Sequence, residues 1–274
     1  MLEEPEIQPV QPRPSAEKDL SYSERLFDFG DEDLAQKLAK LLHNIIKPLA
    51  RMFPLYELDG FTLALDYQAA LEQLDRGDSG LPPVTSGATG YGQGVIMRVA
   101  VIRDGVHKEH IVVAGEVVGM WLSPDEGDRL NGVYTLCTVL AGVAHSIRYS
   151  TVAEVSFPLD SMYREFHPAI ATSPTNYWSA KQVAAIAPDK GKDYADLVLG
   201  ALEFAEREIA DERIKMRDDS DIESATARAL QCVSAILSHA SHWLGHRDGL
   251  AGLREFAGAD LPEQLEGRGL SRWI

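Results

Sequence analysis

The chain has 274 residues, of which 45% are hydrophobic and 25% charged, and its formal net charge is −16. This composition is typical of a globular protein whose core needs neither a disulfide nor a structural metal. The acidic balance argues against a nucleic-acid partner, since phosphate contacts require clustered lysine and arginine side chains. Because no apolar run is long enough to span a membrane, we expect no membrane partner and a cytoplasmic location.

Residues 1–19 combine four prolines with polar side chains, and this pattern predicts a disordered tail. The tail lacks the apolar region of a signal peptide. Residues 34–49 then place leucine and isoleucine at helical spacing, which predicts a helix. We expect Pro48 to bend or end this helix, because proline lacks the backbone N–H that the next turn needs.

Two short regions of the next segment favour strands. Residues 60–67 alternate apolar and polar side chains, and residues 95–113 read as a hairpin with Gly105 in its turn. Residues 117–124, "VVGMWLSP", suggest a third strand or an extended connection. The loop at 78–94 contains "GYGQG", but a strand follows it rather than a helix, so we expect no nucleotide and no other cofactor.

Helical patterns dominate the remainder of the chain. They predict a buried helix over 131–149, further helices near 176–187, 191–216 and 221–245, and short ones after 248. We expect Gly245 or Gly249 to end the helix near 221–245. Strands early and helices late predict an α+β protein with a small antiparallel sheet and a mostly helical C-terminal half. We divide it into the 1–19 tail, an α+β domain at 20–190 and a helical region at 191–274.

The segment "TVLAGVAHSI", residues 138–147, holds a glycine inside an apolar helix. A glycine there costs about 1 kcal/mol relative to alanine, so it needs a reason. At 100° per residue, Ala141, Gly142, His145 and Arg148 lie along one face of the helix. A small residue at 142 would let another backbone approach closely. A lone histidine on such a helix is also compatible with an ordinary hydrogen-bonded core residue.

With histidine at 141 and glutamate at 142, this segment would read H-E-x-x-H, the zinc-binding helix of metallopeptidases. The segment therefore resembles the active helix of a zincin-like metallopeptidase. Residues 177–185, "YWSAKQVAA", resemble the W-S-E-Y-x-A segment that carries the acidic zinc ligand in prophage-borne relatives of the ImmA/IrrE-type peptidases. Trp178 and Ser179 match that segment, whereas Ala180 stands in place of the glutamate and Lys181 in place of the tyrosine.

The resemblance implies a bacterial pseudoenzyme, of the kind found in prophages or mobile elements. Of the metal ligands and the general base, only His145 remains, and one imidazole does not hold zinc. We therefore predict no catalytic residue and no metal, and a degenerate cleft that binds another protein. The predicted cleft residues are Ala141, Gly142, His145, Arg148, Trp178 and Ala180. The 95–113 hairpin would offer an edge strand to a bound peptide.

Two alternatives stay open. His239, His242 and His246 lie within about 60° of one another on one helix face. With a distant carboxylate they would give a metal-dependent hydrolase with a displaced site. The third hypothesis is an unrelated α+β interaction protein.

The two cysteines, Cys137 and Cys232, lie in apolar helical patterns, and we predict that both are buried free thiols in a reducing compartment.

Overall fold

A computed structural model describes residues 20–30, 32–81, 83–84, 94–153, 166–167, 169–219, 221–251 and 256–268. Within the helices, the side chains of residues 146–153 and 218–219 lie outside this description. The predicted disordered tail at 1–19 and most of the "GYGQG" loop are also outside it. The fold class is α+β, with a mostly helical C-terminal half, as predicted.

The described residues contain four strands and eight α-helices. The strands are β1 (Ser23–Phe27), β2 (Leu58–Ala64), β3 (Ile96–Arg103) and β4 (Val106–Ala114). The helices are α1 (Glu32–Met52), α2 (Tyr67–Glu72), α3 (Gly115–Leu122), α4 (Glu126–Ala153), α5 (Ser173–Val183), α6 (Gly191–Asp219), α7 (Ile222–Leu250) and α8 (Leu261–Glu266).

The four strands form one sheet in the order β1-β2-β4-β3. β1, β2 and β4 are parallel, and antiparallel pairing is confined to β3 and β4. The sheet is therefore mixed, whereas we had expected an antiparallel one. The difference arises because α1 connects β1 to β2 as a crossover, which makes those two strands parallel. The sequence pattern did not predict β1, whose residues are largely exposed.

The predicted hairpin is confirmed, and its turn consists of Asp104 and Gly105, both with positive φ (53° and 76°). This is the backbone geometry of a tight two-residue hairpin. Another local prediction is wrong, because "VVGMWL" belongs to α3 and not to a strand. Pro48 does not end α1, which continues to Met52.

The main core lies between the sheet and helices α1, α3 and α4. Helix α1 contributes a buried stripe of Leu38, Leu42, Ile46 and Leu49, as its spacing predicted. Helix α4 contributes Leu136, Leu140 and Val143, which have no exposed surface. Because α4 is buried on most sides, it passes through the molecule rather than along its surface.

Helix α5 lies against α7 with its backbone in close contact. A Cβ atom on Gly245 would stand 2.0 Å from the Tyr177 carbonyl oxygen, and one on Gly249 would stand 2.4 Å from that of Lys181. Neither glycine ends α7, which continues to Leu250. Their role is steric, because only glycine leaves room for the neighbouring backbone at this distance.

Candidate functional site

Gly142 on α4 lies directly beneath the side chain of Arg98 on β3. A Cβ atom at position 142 would stand 3.0 Å from the guanidinium carbon of Arg98 and 3.1 Å from its Nη1. We had expected a backbone segment next to position 142, but the nearest neighbour is a guanidinium group. The glycine allows a long charged side chain to lie flat on a core helix.

Arg98 forms an ion pair with Glu109 of β4, whose Oε2 lies 3.2 Å from Nη1. Both side chains are partly buried, at 23% and 17% exposure. The pair holds a positive charge against α4 at the position where the resemblance places a catalytic base. The guanidinium occupies the space next to position 142.

His145 joins α4 to α5. Its Nδ1 lies 3.0 Å from the hydroxyl oxygen of Thr175, and its ring centre is 5.4 Å from that of Trp178. Trp178 in turn contacts the Phe53 ring edge-on at 5.8 Å. The structure therefore brings together His145 and Trp178, which the sequence placed in one cleft.

Ala180 lies on a different side of α5. One turn before it, the amide of Asn176 donates a 2.8 Å hydrogen bond to Ser238 of α7, and one turn after it Ala184 packs beside Gly249. Ala180 therefore faces α7, whereas Thr175 and Trp178 face α4. Ala141 and Ala180 have no exposed surface, so neither lines an open cleft. Arg148 belongs to α4, but its side chain lies outside the described part.

His242 of α7 extends the same region. Its Nδ1 donates to the Ser238 carbonyl at 2.9 Å, and its ring stacks on Tyr194 at 5.3 Å. Burial lowers the pKa of His242 to about 4, although the Ser238 carbonyl opposes this shift, and the charges of His239 and Arg98 lower it further. His242 is therefore neutral at physiological pH.

His246 is fully buried and both of its ring nitrogens are engaged. Nε2 lies 3.2 Å from the Pro188 carbonyl, so it carries the proton and donates. Nδ1 then accepts from the Tyr134 hydroxyl at 3.2 Å, and Tyr134 accepts from Tyr194 at 3.1 Å. This arrangement leaves His246 no lone pair for a metal.

The three histidines of the alternative metal site do not converge on one point. Within the described ranges, no group of three or more histidine, cysteine, aspartate or glutamate side chains is arranged to hold a metal ion. Burial lowers the pKa values of both His239 and His246. Cys137 and Cys232 are buried free thiols, as predicted, and burial raises the pKa of Cys137 to about 12.

A second polar cluster, which the sequence analysis missed, lies in the sheet. His110 of β4 donates from Nδ1 to Asp59 at 2.7 Å, and its Nε2 lies 2.9 Å from the Thr62 hydroxyl. Arg103 forms two hydrogen bonds with Asp59, at 2.9 and 3.2 Å. Burial pushes the pKa of Asp59 upward, but the bonds and charges of His110 and Arg103 together outweigh it and lower that pKa.

The order carboxylate, imidazole, hydroxyl is that of a nucleophilic triad. However, Thr62 is only 1% exposed and His110 only 4%, so a substrate does not reach the hydroxyl. The cluster instead ties β2, β3 and β4 together through satisfied polar groups. A histidine within the apolar run of β4 and an aspartate at the start of β2 were the available signals in the sequence.

Comparison of the chain with protein-family models, with curated proteins and with solved structures finds no match. Among the helices of the described ranges, none combines the length and the apolar character that crossing a membrane requires.

Proposed function

We propose that this protein is a non-catalytic relative of zincin-like metallopeptidases that acts by binding another protein. The observation that carries this proposal is the Arg98 guanidinium lying on Gly142. In the resembled enzymes that helix position supplies the base that activates a metal-bound water. Here a cation lies beside it, and the side chain that would act as the base is missing.

The edge of the sheet supports a binding role. β3 is the last strand in the sheet order and runs antiparallel to β4 beside α4. In a two-residue hairpin, Ile96, Arg98, Ala100 and Ile102 direct their backbone groups away from β4. A backbone segment already covers the far end, since Ile102 donates to the Arg76 carbonyl at 2.8 Å. The end nearest Gly142 is where we place an added peptide strand.

The proposed location is the cytoplasm. Two buried free thiols support it, because a reducing compartment keeps such cysteines unpaired. The proposed partner is a protein, since the formal net charge of −16 disfavours nucleic acid.

Restoring the missing ligands tests the resemblance. We would introduce Ala141→His together with Thr175→Glu, because Thr175 and not Ala180 faces His145, and remove the positive charge with Arg98→Ala; bound zinc is then measured by mass spectrometry. If the resemblance is correct, this variant binds one zinc per chain, whereas the matched variant without Ala141→His does not. A folded variant that binds no zinc would favour the unrelated α+β protein.

The wild-type chain tests the lack of catalysis. We expect no stoichiometric zinc and no metal-dependent cleavage of a protein substrate. Zinc that copurifies with the wild type and disappears on His242→Ala would contradict the proposal and favour the displaced hydrolase.

Strand addition is tested with Ile96→Pro. This change removes an outward N–H while leaving the bonds between β3 and β4 intact. A partner captured by the wild type should be lost with this variant and retained with Val106→Ala at the exposed hairpin end. A partner that binds both variants equally does not use the β3 edge.

A further inference from the structure

Helix α1 carries a row of positive charges on the face opposite to its buried apolar stripe. At 100° per residue the row lies within about 80° of arc. The spacing of its exposed members alternates between three and four residues; they are Lys37, Lys40, Asn44, Lys47 and Arg51. We call the four cations among them the basic stripe. At 1.5 Å of rise per residue, the basic stripe is about 21 Å long.

The basic stripe differs in charge from the chain as a whole. No aspartate or glutamate occurs from Leu34 to Tyr56, although 42 of the 274 residues are acidic. Within the described ranges, the three lysines of the basic stripe take part in none of the ion pairs. In contrast, Lys190 and Lys215 each pair with a carboxylate one turn away. The described residues therefore leave these three charges uncompensated.

The placement of these charges does not stabilise the helix that carries them. Lys37 and Lys40 are three residues apart, so they set like charges on adjacent turns. Lys47 and Arg51 are four apart and do the same, and such pairs destabilise an exposed helix. A carboxylate at position 44 would pair with both Lys40 and Lys47, yet that position holds Asn44. This pattern is expected where the carboxylates come from another molecule.

At the C-terminal end of α1 the basic stripe meets exposed apolar surface. Met52, the last residue of the helix, is 65% exposed, and Tyr56 is 43% exposed. Between them, the Phe53 ring contacts Trp178, which lies against His145. A ligand that follows the basic stripe to this end therefore meets apolar side chains as well as charge.

We propose that the basic stripe binds an acidic segment of a second protein. The segment supplies carboxylates to the four cations and an apolar side chain to Met52. In extended form, at about 3.3 Å per residue, about six or seven residues span the basic stripe. The surface belongs to α1 and not to the β3 edge, so the proposal depends neither on strand addition nor on the resemblance to peptidases.

Charge and burial favour a peptide over larger anions. The net charge of −16 repels an approaching polyanion, and this repulsion grows with the number of charges that the polyanion carries. A nucleic acid or an anionic bilayer brings many charges that the basic stripe does not neutralise, whereas a short segment brings few. An amphipathic helix that binds a bilayer also inserts its apolar face. In α1 that face is buried in the core, where Leu38 and Leu42 are at most 1% exposed.

Fluorescence anisotropy with a labelled peptide tests this proposal. The probe is a fluorescein-labelled peptide of six glutamates followed by one leucine. The full chain is titrated from micromolar to about millimolar concentrations at about 50 mM salt, where surface charges are only weakly screened. The wild type should bind this peptide, and Lys40→Glu should weaken binding about five-fold or more, as expected for the loss of an exposed ion pair.

Two variants sharpen the measurement. Lys192→Glu changes the net charge by the same amount at an exposed position on α6, and it should leave the affinity within about two-fold of the wild type. Asn44→Lys fills the gap in the row and should tighten binding a few-fold. A misfolded variant does not produce such a gain. Equal affinities for Lys40→Glu and Lys192→Glu, or a wild type that binds no peptide, would overturn the proposal.

Further probes determine the class of ligand. An oligothymidine of about 20 nucleotides, and phosphatidylcholine vesicles with about 30% phosphatidylserine, should each bind more weakly than the peptide. Tighter binding of either overturns the proposal. The variant Ile96→Pro should bind the peptide as the wild type does, so a failure of strand addition is distinguishable from a failure at the basic stripe.

The same assay separates the acidic segments of the chain itself from a second protein. If only the combined variant Glu3→Gln, Glu4→Gln and Glu6→Gln binds the peptide, the N-terminal segment occupies the basic stripe. If the wild type self-associates in sedimentation equilibrium and Lys40→Glu does not, a second copy occupies it. Either result overturns the proposal.

Discussion

The sheet and the helical half of this protein bury polar groups in different ways. In the sheet, Asp59 is ionised and is held by His110 and Arg103. Among the helices, Tyr134 and His246 form a neutral chain that ends on a backbone carbonyl. A buried charge without a partner costs far more than a buried hydroxyl without one, so the two networks should respond to mutation to different extents.

The largest effect is expected for Asp59→Ala. It leaves Arg103 and His110 without their carboxylate in a region that is mostly buried, and we expect the free energy of unfolding to fall by about 3 kcal/mol. Urea unfolding monitored by circular dichroism measures this change. As a control, Asp193→Ala removes an exposed partner of Lys190 and should cost less than about 1 kcal/mol. Equal losses for both variants would show that the sheet cluster is not a stabilising unit.

The second effect is a dependence of stability on pH. The pKa of His242 falls to about 4 in the folded state, and those of His110 and His246 are also lowered by burial. Above the ordinary histidine value of 6.5 both states are neutral. As the pH falls from 6.5 to about 4, the unfolded chain binds protons first, so the folded state loses stability. The lowered pKa of His242 corresponds to a loss of at most about 3 kcal/mol. The actual loss should be smaller, because its ring is partly exposed to solvent.

Urea unfolding at pH 7.5, 6 and 4.5 tests this dependence. His242→Gln should reduce the slope between pH 6.5 and 4.5. Asp59, whose pKa is lowered, stabilises the fold at neutral pH and loses that contribution only in more acidic solution. A wild type whose stability is constant between pH 7.5 and 4.5 would contradict the burial of these histidines.

A smaller effect is expected for Tyr134→Phe in the neutral network. The change removes the donor to His246 Nδ1 and the acceptor for Tyr194 without altering the packing of the ring. We expect a loss of about 1–2 kcal/mol, the usual cost of unsatisfied neutral groups. This loss should be smaller than that of Asp59→Ala. If Tyr134→Phe lowered the free energy of unfolding more than Asp59→Ala does, the comparison between the two regions would be reversed.

The smallest effect is expected for Gly142→Ala. Alanine gains about 1 kcal/mol of helix propensity, but its Cβ displaces the Arg98 guanidinium, so the net change should be within about 1 kcal/mol. In an Arg98→Ala background the same substitution should become clearly stabilising. A double-mutant cycle measured by urea unfolding gives this coupling directly. A cycle without coupling would show that the guanidinium does not constrain position 142.

The sequence predicted regular elements where a single periodicity decides the structure. The α1 stripe, the hairpin with Gly105 and the long C-terminal helices all follow from spacing or turn chemistry. It failed for β1, which carries no clear alternation and owes its strand conformation to pairing with β2. It also failed for α3, where the β-branched "VV" favours a strand but packing against α4 favours a helix.

The candidate site was predicted in part. His145 and Trp178 do meet, because both lie on helix faces that periodicity assigns correctly. Arg98, Glu109 and Asp59 were not singled out, because a charged residue in a strand looks the same in sequence whether it is solvated or paired. Arg98 and Glu109 are 11 residues apart on neighbouring strands, and Asp59 and His110 are 51 residues apart. No local sequence pattern connects either pair.

By itself, the sequence determined the α+β class, the apolar faces of the helices, the turn at Gly105 and the fact that the residues at positions 141 and 142, alanine and glycine, have no side chain able to bind a metal. Three features became known only from the tertiary structure. They are the parallel pairing of β1, β2 and β4, the approach of Arg98 to Gly142, and the orientation of Ala180 toward α7. Local patterns reflect forces between residues a few positions apart. The contact between Arg98 and Gly142 depends on how a strand and a helix pack across the core.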